Sequence, residues 1–392
     1  MLSSNPLLLP LFGSVASAAN LWASHYTTAT LNYLNFDGNS LTLKSSVSSG
    51  NTLPSWLTYD NVGKALYVAD EVFMGQNGGT LMSYSVGNNG SLQMTGKGQT
   101  PQGVVATTLY GGSDGRGFIA NAHYQTSQLT TFKLPLSGGT PLQTIKYTGK
   151  SVNPYRQEAP HPHHAFVDPT GDFLIVPDLG TDLIRIHKID KSSGKLTECG
   201  AGKPVPGTGP RHGAFWRPSG ASSRVQRPAD GTVLFIANEL SNSISGWAVS
   251  YPSGGCMTLS LKQTLNPYQG NATAVTGTKV GEIRVKDNFV YISNRNDKKF
   301  NGNDSISQFT ISSTGDLTWT DLTSSYGTYP RTFEINKAGD YVAIGDQTTS
   351  NVAIVARDIS TGKLGKKVGD LRIQSAGHPE SEDGLSAIVW EE

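Results

Sequence analysis

The residues of this sequence best suited to chemistry are His163, Arg211, Glu239 and Arg295, with His161, Asp178, His212, Glu282 and Arg331 as companions. Imidazole titrates near neutrality, and a positioned acid or base of that kind accelerates a reaction by about 10²–10⁴. Guanidinium offers a planar fork of donors matched to carboxylate or phosphate, each charge-assisted contact contributing about 1.5–3 kcal/mol. Arg211, Arg295 and Arg331 therefore point to a small anionic substrate, with His163 moving a proton and Glu239 orienting or sharing it. The competing reading pairs the same arginines with Glu239, Glu282 and Asp178 as struts, and a mixture of strutting and binding is expected. His161 and His163 fall on one strand face, as two metal ligands would. Local spacing specifies no third ligand, so neither metal nor other cofactor is expected.

Other chemistries find little support. The G-x-S-x-G match around Ser113 lies in a turn between two strands, whereas a nucleophile elbow needs a strand-to-helix turn. Neither Cys199 nor Cys256 sits near a histidine-rich segment, and no phosphate loop or dinucleotide fingerprint occurs. A net charge of +1 with no basic run argues against nucleic acid.

The elements that must position these residues repeat. From His161 to Asp190 the chain reads as apolar runs HHAFVDP, FLIVPDL and LIRIHKI joined by tight turns. The first two make a hairpin, which places His161, His163 and Asp178 at one rim. The same turn-plus-strand unit recurs, with second strands starting at Ala65, Gly117, Phe173, Val233, Phe289 and Tyr341, 52 to 60 residues apart. That period suits a four-stranded propeller blade with extended loops. Residues 21–47 supply strands two to four of a further blade, and LSAIVWE near the C-terminus supplies a lone first strand. Pairing the two ends removes both unpaired edges. The expected fold is all-β, a seven-bladed propeller of four-stranded antiparallel blades closed by the C-terminal strand. With that geometry one mouth collects the first-strand starts, His161, His163, Arg211, His212, Glu282 and Arg331. It also collects the second-strand ends, Glu71, His123, Asp178, Glu239, Arg295 and Gln347.

The composition agrees: 45 Gly, 20 Pro and only 16% charged residues suit a turn-rich β body, and no long run has helical apolar spacing. Residues 1–18 have the short apolar stretch and the Ala16-Ser17-Ala18 pattern of a secretion signal, a frayed tail being the alternative, and residues 19–392 read as one domain. No later segment is long and apolar enough to anchor in a membrane. The stretches 219–231 and 266–279 read as surface loops. Cys199 and Cys256 form one disulfide or stay as two buried thiols, and Asn89, Asn271 and Asn303 open glycosylation sequons.

The segments PHPHHAFVDPTGDFLIVPDLGTDLIRI, GTGPRHGAFWRPSG, LFIANELSNSISGW, VYISNRND and YPRTFEINKAGDYVAIGDQ resemble the lactonase-type seven-bladed propeller family. That family includes bacterial 6-phosphogluconolactonases and fungal 3-carboxy-cis,cis-muconate cyclases, and the resemblance spans residues 21–390. It implies a cofactor-free site that opens a lactone or adds a carboxylate across a double bond, using His163, Arg211, Glu239 and Arg295, with Glu282 as the rival to Glu239. Signal, sequons and motif wording together suggest a secreted fungal protein, extracellular or in the cell wall. The alternative function is a non-catalytic secreted propeller glycoprotein that binds a ligand or partner through the same mouth.

Overall fold

Short runs such as FLIVPD and VLFIAN are buried at every position, because both faces of an inner strand are covered by neighbouring blades. Outer strands such as Leu364–Arg372 are mostly exposed or half-buried and carry the charges. In the computed structural model, which describes residues 19–72, 78–218 and 231–392, these strands form seven four-stranded antiparallel sheets.

Blade I takes its first strand, Leu385–Trp390, from the C-terminus and adds Ala19–His25, Thr30–Phe36 and Leu41–Ser48. Blade II is Pro54–Asp60, Ala65–Asp70, Gly79–Val86 and Leu92–Thr100. Blade III is Val104–Tyr110, Phe118–His123, Gln128–Lys133 and Gln143–Lys146. Blade IV is Phe166–Val167, Phe173–Asp178, Leu183–Ile189 and Leu196–Gly202. Blade V is Pro210–Trp216, Val233–Asn238, Ser243–Ser250 and Thr258–Leu265. Blade VI is Lys279–Lys286, Phe289–Arg295, Ser305–Ile311 and Leu317–Ser324. Blade VII is Pro330–Ile335, Tyr341–Asp346, Asn351–Arg357 and Leu364–Arg372.

The ring closes as expected: Leu21 pairs with Trp390, Trp22 with Val389 and Ala23 with Ile388, so neither end leaves an open edge. Each joint between adjacent blades holds its own apolar cluster, for example Ile175, Ile186, Leu234 and Ile236 between IV and V. At the closing joint Ala343 and Ile354 of VII meet Leu21, Leu34 and Ile388 of I. Burying such a side chain contributes about 1.5–3 kcal/mol. Turn glycines tighten the joints. Gly194 (φ +71°) and Gly362 (φ +70°) lie against the rings of Phe118 and Phe289 in the preceding blade, where a Cβ would come within 2.3 Å and 2.2 Å. Their carbonyls accept hydrogen bonds from the hydroxyls of Tyr110 and Tyr291. Cys199 and Cys256 are bonded, with Cα atoms 5.6 Å apart, clipping blade IV to blade V and selecting the bonded alternative.

Two sequence expectations shift. The second strand of blade III starts at Phe118 instead of Gly117. The run HHAFVDP gives only Phe166–Val167 as strand, since Pro160 and Pro162 cannot donate to a ladder and leave a lone bridge from Pro162 to Asp178. The segment read as a secretion signal and nearly all of the 219–231 loop lie outside the described residues.

Candidate active site

First strands line the axis of the ring, and at the mouth where they begin their pairing slips. The register shifts between Pro210 and His212, between Val280 and Ile283, and between Pro330 and Thr332. A bulge of this kind re-aims a side chain and commonly sits beside an active site. Arg211 and Arg331 are the residues skipped in blades V and VII.

The mouth holds a cavity of about 240 Å³. His163, Glu71, Glu239, Arg156, Arg295 and Arg331 supply most of its polar wall, with Tyr124, Gln125, Tyr329, Gln347 and residues 380–382 completing it. Glu239 is its electrostatic centre. Its Oε1 accepts from Arg156 Nη2 at 2.6 Å and its Oε2 from Arg295 Nη2 at 2.7 Å. Arg211 Nε lies 3.0 Å from Oε2 as a charge contact, without hydrogen-bond geometry, while Arg211 Nη1 donates to the Gly281 carbonyl at 2.9 Å. Burial alone would raise the Glu239 carboxyl, but Arg295, Arg156 and Arg211 outweigh it and hold it well below the usual range. Glu239 is thus a fixed anion that orders three guanidiniums.

His163 faces this cluster from blade IV. Its backbone N–H donates to the Pro177 carbonyl at 2.9 Å, and its buried Nδ1 has no partner among the described residues. Burial, then the positive charge of Arg211, holds the imidazole well below its ordinary value, so it is neutral at pH 7 and able to accept a proton. On the far wall Arg331 Nη2 reaches Glu71 Oε2 at 3.3 Å, the longest of the guanidinium–carboxylate contacts lining the cavity. Glu71 also accepts from the Tyr26 hydroxyl, and burial raises its carboxyl. Tyr329 donates to Glu380 Oε1 and lies beneath the Arg295 guanidinium, 5.1 Å from ring centroid to Cζ.

His163, Glu239, Arg295 and Arg331 therefore share one cavity. Arg211 sits immediately behind Glu239, only 1% exposed. The remaining expected substrate contacts are corrected. His161 stacks on Tyr124 at 4.2 Å and is held between the Tyr124 carbonyl and Glu158. Asp178, fully buried, accepts from the His161 N–H at 2.7 Å and from Arg185 Nε at 2.9 Å, bracing blade IV. His212 stacks on His164 at 4.4 Å, with its Nδ1 3.0 Å from Glu282. Glu282 in turn accepts from Arg284 and the Ile283 N–H. These four brace the wall instead of forming it: the slips in blades V and VI turn His212 and Glu282 away from the opening, and His161 and Asp178 are held in blade IV by the partners just named.

Reading by repeat phase missed Arg156 and Glu380, which lie on connections between blades, and Tyr124, which lies on the turn after the second strand of blade III. The only signals were a charged residue in the long segment before HPHH and the acidic run PESED before the last strand. Among the described residues no group of three or more His, Cys, Asp or Glu is placed to hold a metal ion. What the arrangement offers is a neutral base opposite guanidiniums, suited to a carbonyl that develops negative charge.

A family model described as "Lactonase, 7-bladed beta-propeller" matches residues 20–378. A protein of Arthroderma benhamiae named "Probable 6-phosphogluconolactonase" is 30% identical over 346 residues, covering 84% of this chain and 80% of its own. The "6-phosphogluconolactonase" of Bacillus subtilis is 28% identical over 255 residues, covering 63% and 65%. Among solved structures, the periplasmic gluconolactonase of Pseudomonas aeruginosa superposes with a TM-score of 0.74 at 24% identity, over 95% of this chain and 99% of that one. A Lactobacillus plantarum protein superposes with a TM-score of 0.77 at 20% identity, over 95% and 99%.

Proposed function

The chain belongs to the lactonase family of seven-bladed β-propellers, and on that premise we propose that it hydrolyses a small anionic lactone at the His163 cavity. The observation that carries this reading is a neutral, buried imidazole facing Arg295 and Arg331 across one opening. In the proposed step His163 takes a proton from water as the oxygen attacks the lactone carbonyl. Negative charge then builds on the carbonyl oxygen, where Arg295 and Arg331 stabilise it. Collapse breaks the ring C–O bond, and the proton on His163 passes to the departing alkoxide, giving a hydroxy acid and restoring neutral imidazole. Glu239 stays ionised throughout, spacing Arg156, Arg211 and Arg295. Arg331, with the longest pairing distance, is the cation best able to turn from its glutamate to a substrate carboxylate or phosphate. Run in reverse, the same groups would close a lactone from a hydroxy acid with loss of water; closing one on an unsaturated carboxylate, as a muconate cyclase does, is a different step, in which the carboxylate adds to one alkene carbon while an acid delivers a proton to the other.

The pairing of each lining arginine with glutamate favours a second reading, an anion-binding module without turnover. A panel of sugar lactones and carboxymuconate assayed with the wild type and His163→Ala separates the two. Hydrolysis falling by about 10²–10⁴ in the variant supports the mechanism. Undiminished hydrolysis removes His163 from it, and tight anion binding with no turnover favours the binder.

We also propose that the protein is secreted. The Cys199–Cys256 bond fits an oxidising compartment. N-terminal sequencing of the exported protein should start near Ala19, and a retained residue 1 would overturn it.

A further inference from the structure

A second cavity, of about 370 Å³, lies between the segment Pro204 to Thr208 and the outer strands of blade V. It differs in kind from the first, since among the described residues no charged side chain lines it. Its polar wall includes Asn238, Ser243 and Ser245, and its apolar wall includes Trp247 and Leu261. Asn238 Nδ2 donates to both serine hydroxyls at 3.1 Å, and Trp247 Nε1 donates to Ser245 Oγ at 2.9 Å. Asn238 is fully buried and its Oδ1 has no partner among the described residues.

Blade VI shows how this space is otherwise filled. There Asn294 Nδ2 donates to Ser305 at 3.0 Å and to Ser307 at 2.8 Å, the same arrangement one blade along. The connecting segment lies directly on it: the Pro267 carbonyl accepts from Ser307 Oγ at 2.5 Å and from Trp319 Nε1 at 3.1 Å. Asn294 Oδ1 is also unpartnered, so what distinguishes blade V is the room beside the amide. The corresponding segment of blade V is pinned away from the strands. Gly207 N–H and Gly209 N–H both donate to the Asp182 carboxylate at 2.7 Å, holding the chain towards blade IV and leaving Val205 68% exposed.

We infer that this cavity is a binding site for a neutral polyhydroxylated ring, a sugar unit. Its volume falls within the range of about 300–1,000 Å³ usual for small-ligand sites. Serine hydroxyls and an amide oxygen match the alternating donors and acceptors of ring hydroxyls, and indole and leucine match the apolar C–H face. Absence of charge disfavours a carboxylate or phosphate, which lacks a counter-ion here. The site is independent of the proposed lactone chemistry, because Asn238 and the adjacent Glu239 open into different cavities.

The test is calorimetric or ligand-observed NMR titration with methyl β-D-glucopyranoside and with D-glucuronate. The neutral glycoside should bind with a Kd on the order of 1 mM, as expected for about a dozen heavy atoms at ordinary ligand efficiency. Ser241→Trp, at an exposed rim position, and Leu261→Glu, at a position 47% exposed, should each weaken it about tenfold or more while circular dichroism stays native. His163→Ala should leave glycoside binding as it was. No glycoside binding overturns the inference. So does binding that survives both rim variants, or that is lost with His163→Ala, since the glycoside would then occupy the charged mouth.

Discussion

Asn238 and Glu239 are consecutive residues at the end of one strand, yet they serve opposite environments. Glu239 opens into the axial cavity, among guanidiniums of Arg156, Arg211 and Arg295. Asn238 opens outward among serines and an indole, in a cavity lined by no charged side chain among the described residues. A strand sends successive side chains to opposite faces, and at the end of this one, past the packed blade faces, Glu239 reaches the axial mouth while Asn238 turns towards the segment Pro204 to Thr208. The difference teaches where interdependence lies. On the charged side each ion is held by the others in a desolvated setting, so removing one strands the rest. On the uncharged side each hydrogen bond contributes separately and modestly.

The largest effect should come from the shared anion. Glu239→Gln keeps the shape but leaves three buried guanidiniums without their common counter-charge, and should cost about 3–5 kcal/mol in denaturant unfolding. Lactone turnover should fall with it. A loss below about 1 kcal/mol would mean that the arginines find other partners, and the contrast between the two sides would dissolve.

The next test uses pH. Burial depresses His123 and His187 to about 4 and His164 to about 3, and holds His163 well below its ordinary value. Unfolded histidine titrates near 6.5, so between about pH 6.5 and 4 these four histidines hold more protons in the unfolded chain than in the folded one. Their contribution to stability is therefore complete above pH 6.5 and is lost as pH falls towards 4, by about 3 kcal/mol for each of His123 and His187, while Asp297, raised by burial to about 6, and Asp346, raised well above its ordinary value, offset part of that loss. Denaturant midpoints from pH 7 to 4 measure it, and a flat profile would refute it. In the same window kcat/KM should hold below pH 6.5, where an ordinary histidine base would already be protonated. Glycoside binding at the uncharged cavity should not follow the catalytic profile.

The fold was legible because turn and strand signals repeat with one period, and because the two incomplete ends complement each other. Ring closure through Leu385–Trp390 follows from that edge argument alone. The phase of the repeat also placed Glu71, His163, Glu239, Arg295, Arg331 and Gln347 at one mouth. It could not say which of them face the opening. The slips at Pro210/His212 and Val280/Ile283 change the parity of the first strands, which is why His212 and Glu282 brace the wall while Arg211 backs Glu239. Arg156 was invisible for another reason: a connection between blades has no period, so nothing local tells which of its charges returns to the axis.

The smallest effects compare blade V with blade VI. Ser307→Ala removes one of two donors to the Pro267 carbonyl, while Trp319 Nε1 still reaches that oxygen and Asn294 keeps Ser305. The cost should be about 0.5–1.5 kcal/mol. Ser245→Ala deprives Trp247 Nε1 of its acceptor inside the blade, with no segment seated above it to offer another, and should cost about 1–3 kcal/mol. Denaturant unfolding of the two variants, side by side, reads the gap. If Ser245→Ala costs no more than Ser307→Ala, water entering the blade V cavity is already serving the indole. That cavity would then be wet enough for a sugar to have to displace bound solvent, and glycoside affinity should weaken accordingly.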